Sequence, residues 1–295
     1  MEIPKIYLPY RFYGLSEKIL EKKMLDDIAK CKSIETEKVL AVWRDLLWDS
    51  QHFNCKMAEL KHFIANRARR TDRKEAVEHL LEKWNEYDHI TARISAFDLQ
   101  STQVFEDYGF RLMCTHMKYG IDLRNRDVLP KVMQNDVTYE VLQCPCNVPE
   151  LERIAKEAWS ETPVTPDRFH ADTRFPKNLA DSVYTEWLKN CLSGELADCV
   201  IVPKVEGRIV GFFAFKHVVD AVEDLRVGSL VLAAVDSSVR GKHIYTNMTA
   251  IALNSLKSDI VEAIMPVTNY PVQKAYHGLG FKLVSTTYTF HKWMK

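Results

Sequence analysis

The feature that most constrains this chain is an internal repeat. Shifting the first half by 171 positions lays FDLQSTQVFEDYGFRL (97–112) over TNYPVQKAYHGLGFKL (268–283). Gly109-Phe110 then meets Gly280-Phe281, Asp98 meets Asn269 and Phe105 meets Tyr276. The residue pattern on either side reads as strand, short helix, Gly-Phe and strand in both places. A length of 295 residues predicts roughly two domains, in keeping with two copies of one unit. The copies differ at polar positions. The second has an amide at 269 and a phenol at 276 where the first has a carboxylate and a phenyl ring. Opposite residues 240–245 the first copy has Arg69-Arg70-Thr71-Asp72-Arg73-Lys74, with no glycine to let backbone approach a phosphate. The first copy therefore reads as one without groups for chemistry, and the second as the working one.

Composition excludes several classes. Forty basic residues balance forty acidic ones, whereas a dedicated nucleic-acid binder carries a basic surplus. No apolar run reaches the roughly 18–20 residues of a membrane span. The opening MEIPKIYLPYRFYGLSEK lacks the apolar stretch and cleavage site of a signal peptide. A cytoplasmic protein with neither nucleic acid nor membrane as partner is expected. The seven cysteines are irregularly spaced, and Cys144-Pro145-Cys146 lacks the two-residue spacer of a zinc or redox pair. No metal is expected.

A polar seam at 124–136 divides the chain into lobes of 1–130 and 137–295. In the first lobe, helical spacing marks 35–48 and 74–87, followed by strands at 89–96 and 110–119. The second lobe reads as a strand at 139–144, helices at 148–159 and 177–192, and strands at 197–204, 208–218 and 228–236. A helix over 242–257, a strand at 261–267, a short helix near 270–277 and two final strands complete it. Glu206-Gly207 falls where a hairpin turn belongs. The order β-α-α-β-β-β-α-β-α-β-β implies an α/β fold, a mixed and mostly antiparallel sheet flanked by helices. The six tryptophans lie mainly on apolar stripes and read as core.

The chemistry concentrates in V-D-S-S-V-R-G-K-H-I-Y, residues 235–245. A strand ends there, a serine-rich turn follows with Arg240, Gly241 and Lys242, and a helix begins. A helix N-terminus presents unpaired N–H groups and the positive end of its dipole, which suits phosphate. Ser-Ser before a helix is also an ordinary cap. Some thirty residues on, Asn269 follows the next strand, with Pro271, Tyr276 and Gly280-Phe281 after it.

Together these elements resemble the GNAT superfamily of acyl-CoA-dependent N-acyltransferases over about residues 137–295, with a degenerate, incomplete GNAT-like lobe before it. The resemblance implies an acyl-CoA co-substrate. Its pyrophosphate would lie on Arg240, Gly241, Lys242, His243, Ile244 and Tyr245, its pantetheine arm along the strand ending at Val235, and Asn269 would touch it. Tyr276 would be the catalytic acid. A phenol of pKa about 10 suits a thiolate leaving group near about 8.5. His243 and Tyr245 stand where the family has small residues, so bulk at the phosphate corner is expected to matter.

Narrower matches in LLWDSQHFNCKMAEL (46–60), DRFHADTRFPKNLADSVYTEWLKNCLSG (167–194) and TYTFHKWM (287–294) resemble dTDP-amino-sugar N-acyltransferases. They imply a nucleotide-linked 3- or 4-amino-dideoxyhexose as acceptor and a role in surface polysaccharide biosynthesis. Candidate acceptor or proton-accepting residues are Arg168, His170, Asp172, His217 and His291. An open sheet edge in such a lobe makes a homodimer an expectation. A protein or peptide N-acetyltransferase and a non-catalytic acyl-CoA-binding module are the alternatives. The basic run Arg67, Arg69, Arg70, Arg73 and Lys74 reads as a solvated helix start, diluted by Asp72 and Glu75.

Overall fold

The structure is a computed structural model. It describes residues 14, 25–26, 28–65, 67–124, 130–134, 136–161, 167–222 and 225–295, excluding the side chains of 160, 161 and 218–222. The N-terminal eighteen residues, apart from Gly14, and much of the seam lie outside the described residues.

The first copy is built from β1 (Lys32–Glu35), β2 (Leu40–Asp45), a short helix α1 (Leu47–Phe53) and β3 (Met57–Ile64). It continues with α2 (Arg70–Lys83), β4 (His89–Ser95), α3 (Leu99–Asp107) and β5 (Arg111–Asp122). The helix expected at 35–48 is instead the β1–β2 hairpin and the start of α1. Leu40, Ala41, Val42 and Trp43 are all buried, so the strand is apolar on consecutive residues and its spacing imitates a helical stripe. Strand β3 was not expected. Glu59, Lys61 and His62 interrupt its apolar pattern, yet Glu59 is buried with its carboxylate paired to Arg44 and Arg93.

The second half contains β6 (Thr138–Gln143), α4 (Glu150–Lys156), a one-turn helix α5 (Arg168–Ala171) and α6 (Lys177–Leu192). Strands β7 (Cys199–Val205), β8 (Arg208–Ile209), β9 (Gly211–Val222) and β10 (Leu225–Val235) follow. Then come α7 (Ile244–Ser255), β11 (Ile260–Pro266), α8 (Tyr270–Leu279) and β12 (Lys282–Trp293). Glu206 and Gly207 both have positive φ, 49° and 78°, and join β7 to β8 in the expected two-residue hairpin. The two final strands expected are one twelve-residue strand, because Ser285-Thr286-Thr287 offers β-branched residues and no breaker.

The repeat extends well beyond the sixteen residues that reveal it. Adding 171 to the bounds of β4 gives those of β11, and adding it to β5 gives β12. Gly109 and Gly280, at φ 77° and 85°, end α3 and α8 in the left-handed conformation that favours glycine. The series β2-β3-α2-β4-α3-β5 thus recurs as β9-β10-α7-β11-α8-β12.

The chain forms two compact units that are not the contiguous stretches 1–130 and 137–295. One comprises Met1–Met117, Asp167–Leu179 and Val284–Lys295, the other Lys118–Pro166 and Ala180–Leu283. The reason is the placement of the last strand of each copy. Within the first unit β12 pairs antiparallel with β4, from Thr287↔Ser95 to Trp293↔His89. Within the second, the end of β5 lies next to β11. The first unit has the strand order β1-β2-β3-β4-β12-β5, and the second β5-β11-β10-β9-β7-β6 with β8 on β7. The sheets are mixed and mostly antiparallel, with β3/β4 and β10/β11 parallel. In the first unit, α2 and α3 cover a core of Trp43, Leu60, Leu80, Trp84, Ile90 and Phe105. In the second, α4 and α6 pack Leu151, Ile154 and Leu188 against Val200, Val202 and Phe212.

Each copy interrupts its sheet in the same way. The parallel pairing of β10 with β11 runs from Val227↔Ile260 to Leu230↔Ala263, while β10 continues to Val235 and β11 to Pro266. At the next residue, Val231, the register of β10 with β9 shifts by one. In the first copy β3 pairs with β4 from Met57↔His89 to Leu60↔Ala92, and the register of β3 with β2 shifts at Lys61. A bulge adds local twist, which turns a strand away from its neighbour. Trp84, the C-cap of α2, is fully buried. Trp84→Ala should lower unfolding stability by about 3–5 kcal/mol in a denaturant titration, and a loss under about 1 kcal/mol would contradict this packing.

Candidate functional site

The candidate site of the second unit is the corner where β10 leaves β11. Beyond Leu230 one edge of β10 still pairs with β9, as far as Val235↔Gly211, and the other edge has left β11. Unpaired backbone N–H and C=O groups on a strand edge are a template for another extended chain. At Gly211 an added Cβ would lie 2.7 Å from the Ala234 carbonyl oxygen, so only glycine lets β9 lie this close to the end of β10.

Past Val235 the turn is held by Asp236. Its carboxylate accepts from the Ser238 amide at 3.0 Å, the Ser238 hydroxyl at 2.7 Å and Arg153 at 3.1 Å. The Ser238 contacts do most to bring its pKa down to about 2. Ser237 donates to Glu157 at 2.5 Å. Both serines therefore brace the turn. Arg240, Gly241, Lys242 and His243 are exposed, and an added Cβ on Gly241 would meet nothing within 4 Å. His243 is the N-cap of α7, with φ 59°, and its side chain makes no capping hydrogen bond. The first intrahelical bond runs from the Asn247 amide to the His243 carbonyl at 2.9 Å. The amides of Ile244, Tyr245 and Thr246 precede it and have no acceptor within the helix. The first turn of α7 also contains no acidic residue.

Ile244 is buried, so its part at this corner is its backbone. Tyr245 turns inward, with its ring centroid 5.5 Å from Phe213 and 6.1 Å from Tyr276. The bulk at 245 thus packs inside the unit. Asn269 is the N-cap of α8 and its carboxamide makes no capping bond. Tyr276 is 3% exposed, stacks on Phe281 at 4.5 Å, and shares a 2.9 Å hydroxyl–hydroxyl hydrogen bond with Tyr245. Burial holds its pKa well above that of a free phenol.

The matching corner of the first unit is closed. Arg73, four residues into α2, is 6% exposed and fills it with its own guanidinium. It donates to the carbonyls of Ala68 and Ala65, to the Ser101 hydroxyl at 3.0 Å, and to Asp98 at 3.4 Å. Asp72 places a carboxylate on the first turn of α2 and accepts from the Arg69 amide at 2.7 Å. A negative charge at a helix N-terminus uses the field that a phosphate would need. The basic run is thus partly structural, since Arg73 is a buried brace and not a solvated side chain.

Of the acceptor candidates, Arg168, His170, Asp172 and His291 fall in the first unit and His217 in the second. Arg168 donates to Asp49 at 2.9 Å and Thr91 at 3.0 Å, with its guanidinium over the Phe169 ring. His170 bonds Asp167 of its own turn at 2.6 Å. The backbone amide of His217 donates to Asp198, and its ring meets Cys199. Asp172 and His291 do come together, although β12 and the segment after α5 are far apart in sequence. Asp172 accepts from His291 Nδ1 and from Trp293 Nε1, both at 2.9 Å. His89 joins them, boxed by the rings of Phe175, His291 and Trp293 at 4.5–5.0 Å. The ligand atoms of His89, Asp172 and His291 lie within 4.8 Å of one another. Two N–H donors occupy the Asp172 carboxylate, aromatic rings enclose His89, and both ring nitrogens of His89 and Nε2 of His291 are buried without a hydrogen-bond partner among the described residues. His89, Asp49 and the Tyr245–Tyr276 pairing were not found from the sequence. Asp49 lies within the Trp-Asp-Ser stretch already singled out, whereas His89 carries no local signal.

This fold is that of the GCN5-related N-acetyltransferases, the GNAT fold. A tandem GNAT protein from the clavulanic acid biosynthesis pathway superposes with a TM-score of 0.55 at 12% identity, covering 87% of this chain and 78% of that one. A GCN5-related N-acetyltransferase from Kribbella flavida gives 0.53 at 12%, covering 91% and 92%. In sequence, the spore coat polysaccharide biosynthesis protein SpsD of Bacillus subtilis (strain 168) is 22% identical over 256 residues, which are 85% of this chain and 83% of that protein. No model of a known protein family matches the chain. No helix among the described residues is long and apolar enough to cross a membrane.

The buried cluster gives a pH prediction. Burial lowers the pKa of His291 to about 4, against the pull of Asp172, and that of His89 to about 2. Burial alone would raise the Asp172 carboxyl, but hydrogen bonds from His291, Trp293 and the Arg174 amide bring it down to about 2. An unfolded histidine takes up a proton near pH 6.5, so the unfolded state binds more protons below that point. Stability should be full above pH 6.5 and fall as pH drops toward 4. The Asp172 contribution should fade next, from about pH 4 toward 2. Melting temperature against pH for wild type and His291→Gln checks this. The wild type should show the steeper fall between pH 6.5 and 4, and parallel curves would contradict it.

Proposed function

We propose that the protein is an acyl-CoA-dependent N-acyltransferase whose acceptor is the amine of a nucleotide-linked amino sugar, a dTDP-linked 3- or 4-amino-dideoxyhexose. The observation that carries the donor side is the open edge of β10 beyond Leu230, followed after the turn at 236–243 by the uncapped first turn of α7. The edge offers amides and carbonyls to a pantetheine arm, and the amides of Ile244, Tyr245 and Thr246 offer donors to a diphosphate. Arg240 and Lys242, exposed beside them, add positive charge. Asn269, with its carboxamide outside the helix cap, is the further contact.

The reaction is direct attack of the neutral amine on the thioester carbonyl. A backbone N–H of β10 polarises that carbonyl, and Tyr276 protonates the departing thiolate. A sugar amine with a pKa of about 8, by analogy with an α-amino group, is partly neutral at pH 7, so attack needs no strong base. The name of SpsD, a spore coat polysaccharide biosynthesis protein, supports a carbohydrate acceptor. The degenerate first copy, a cytoplasmic location and a homodimer belong to the same reading. The burial of Tyr276 favours one second reading, an acyl-CoA-binding module without turnover.

Thiol release from acetyl-CoA, followed across dTDP-amino sugars, free amino sugars and peptide amines, separates these readings. Release with dTDP-amino sugars is expected. Release with peptides alone would support a protein acetyltransferase, and tight binding without release a binding module. A second test addresses the donor corner. Thr246→Asp places a carboxylate on the first turn of α7, as Asp72 does on α2. Calorimetry should show coenzyme A binding weakened at least tenfold with the melting temperature little changed, and unaltered affinity would remove this helix end from the site.

A further inference from the structure

The proposed chemistry asks one buried phenol to give up a proton, and the structure places a second phenol against it. Tyr245 is the second residue of α7 and Tyr276 lies in the second turn of α8. Their hydroxyl oxygens are 2.9 Å apart. Phe213 lies against the Tyr245 ring, while Phe281 and Tyr119 lie against the Tyr276 ring, the last at 5.6 Å. Tyr119 in turn meets His277 at 3.3 Å, and among the described residues Tyr119 is the further titratable group with a ring against Tyr276, with His277 behind it. Both phenols resist ionisation through burial. A buried phenolate without a donor would be costly to form.

Two phenols sharing one hydrogen bond hold two O–H protons, and only one is engaged between them. We infer that Tyr245 is a positioning residue for Tyr276, supplying the hydrogen bond that fixes the phenol and receives the charge left on it. This inference rests on the acyltransferase reading. As the C–N bond forms and the C–S bond breaks, the sulfur takes the electron pair and then the Tyr276 proton, giving the free thiol of coenzyme A. The O–H of Tyr245 donates to the resulting Tyr276 phenolate. The nitrogen, cationic after attack, loses one proton to solvent, and solvent returns one to Tyr276. No oxidant or further reactant is needed.

Tyr245→Phe tests this by removing one oxygen while keeping the ring. Expected is a ten- to hundredfold fall in kcat, the range for one hydrogen bond to a charged group, with acetyl-CoA affinity and melting temperature nearly unchanged. Carbon-13 NMR of the tyrosine Cζ atoms should also show Tyr276 ionising at higher pH in the variant than in the wild type. Tyr276→Phe, assigning that resonance, serves as the control. Wild-type kcat in Tyr245→Phe, or an unmoved Tyr276 titration, would overturn the inference. Absence of thiol release by the wild type with every amine would instead overturn the acyltransferase reading, and the NMR titration would still report on the pair. If Tyr245→Phe fails to fold, Tyr245→Met, with a lowered kcat and unchanged donor affinity, decides the same point.

Discussion

The parting of β10 from β11 after Leu230 and Ala263 is the constraint on which the rest of the second unit depends. A parallel pair saturates its backbone groups between strands, and a chain that stops pairing must give those groups to something else. Here the stop coincides with a one-residue bulge against β9, so β10 turns out of line without breaking. The free edge then leads into a helix whose first amides carry neither a side-chain cap nor an acidic neighbour. Edge and helix end thus offer unpaired backbone groups on either side of the turn that Asp236 braces.

The two copies show how one scaffold can be open or shut. Both part their parallel strands one residue before a bulge, and both place a helix after the opening. In the first copy Arg73 takes the carbonyls of Ala65 and Ala68, and Asp72 takes the amide end of α2. In the second copy the position of Arg73 is Ile244, an apolar residue that leaves the polar groups alone. The difference between the copies is one of side chains, and the backbone design is shared.

Much of this was legible in the residues because it is local. Gly109-Phe110 and Gly280-Phe281 declare themselves since a left-handed helix end favours glycine and the next residue is core. The α2, α6 and α7 stripes repeat with helical period over enough turns to be unambiguous. The β1–β2 hairpin was misread because a strand buried on both faces is apolar at every residue, which satisfies a helical spacing as well. The exchange of β5 and β12 could not be read, since no residue in either strand records which neighbour it pairs with. Asp172 and His291 were singled out for chemistry, and the structure places them in contact with each other and with Trp293. The role of Tyr245 was hidden for a related reason: its position in the turn implied a phosphate contact, while its ring runs inward to Tyr276.

Hydrogen exchange with mass spectrometry, with and without saturating coenzyme A, tests the central claim most directly. Slowed exchange at the amides of 231–235 and of Ile244, Tyr245 and Thr246, with no change at the start of α2, is the predicted result. Protection that spares both segments while coenzyme A is bound, or that falls on the first turn of α2 instead, would contradict it.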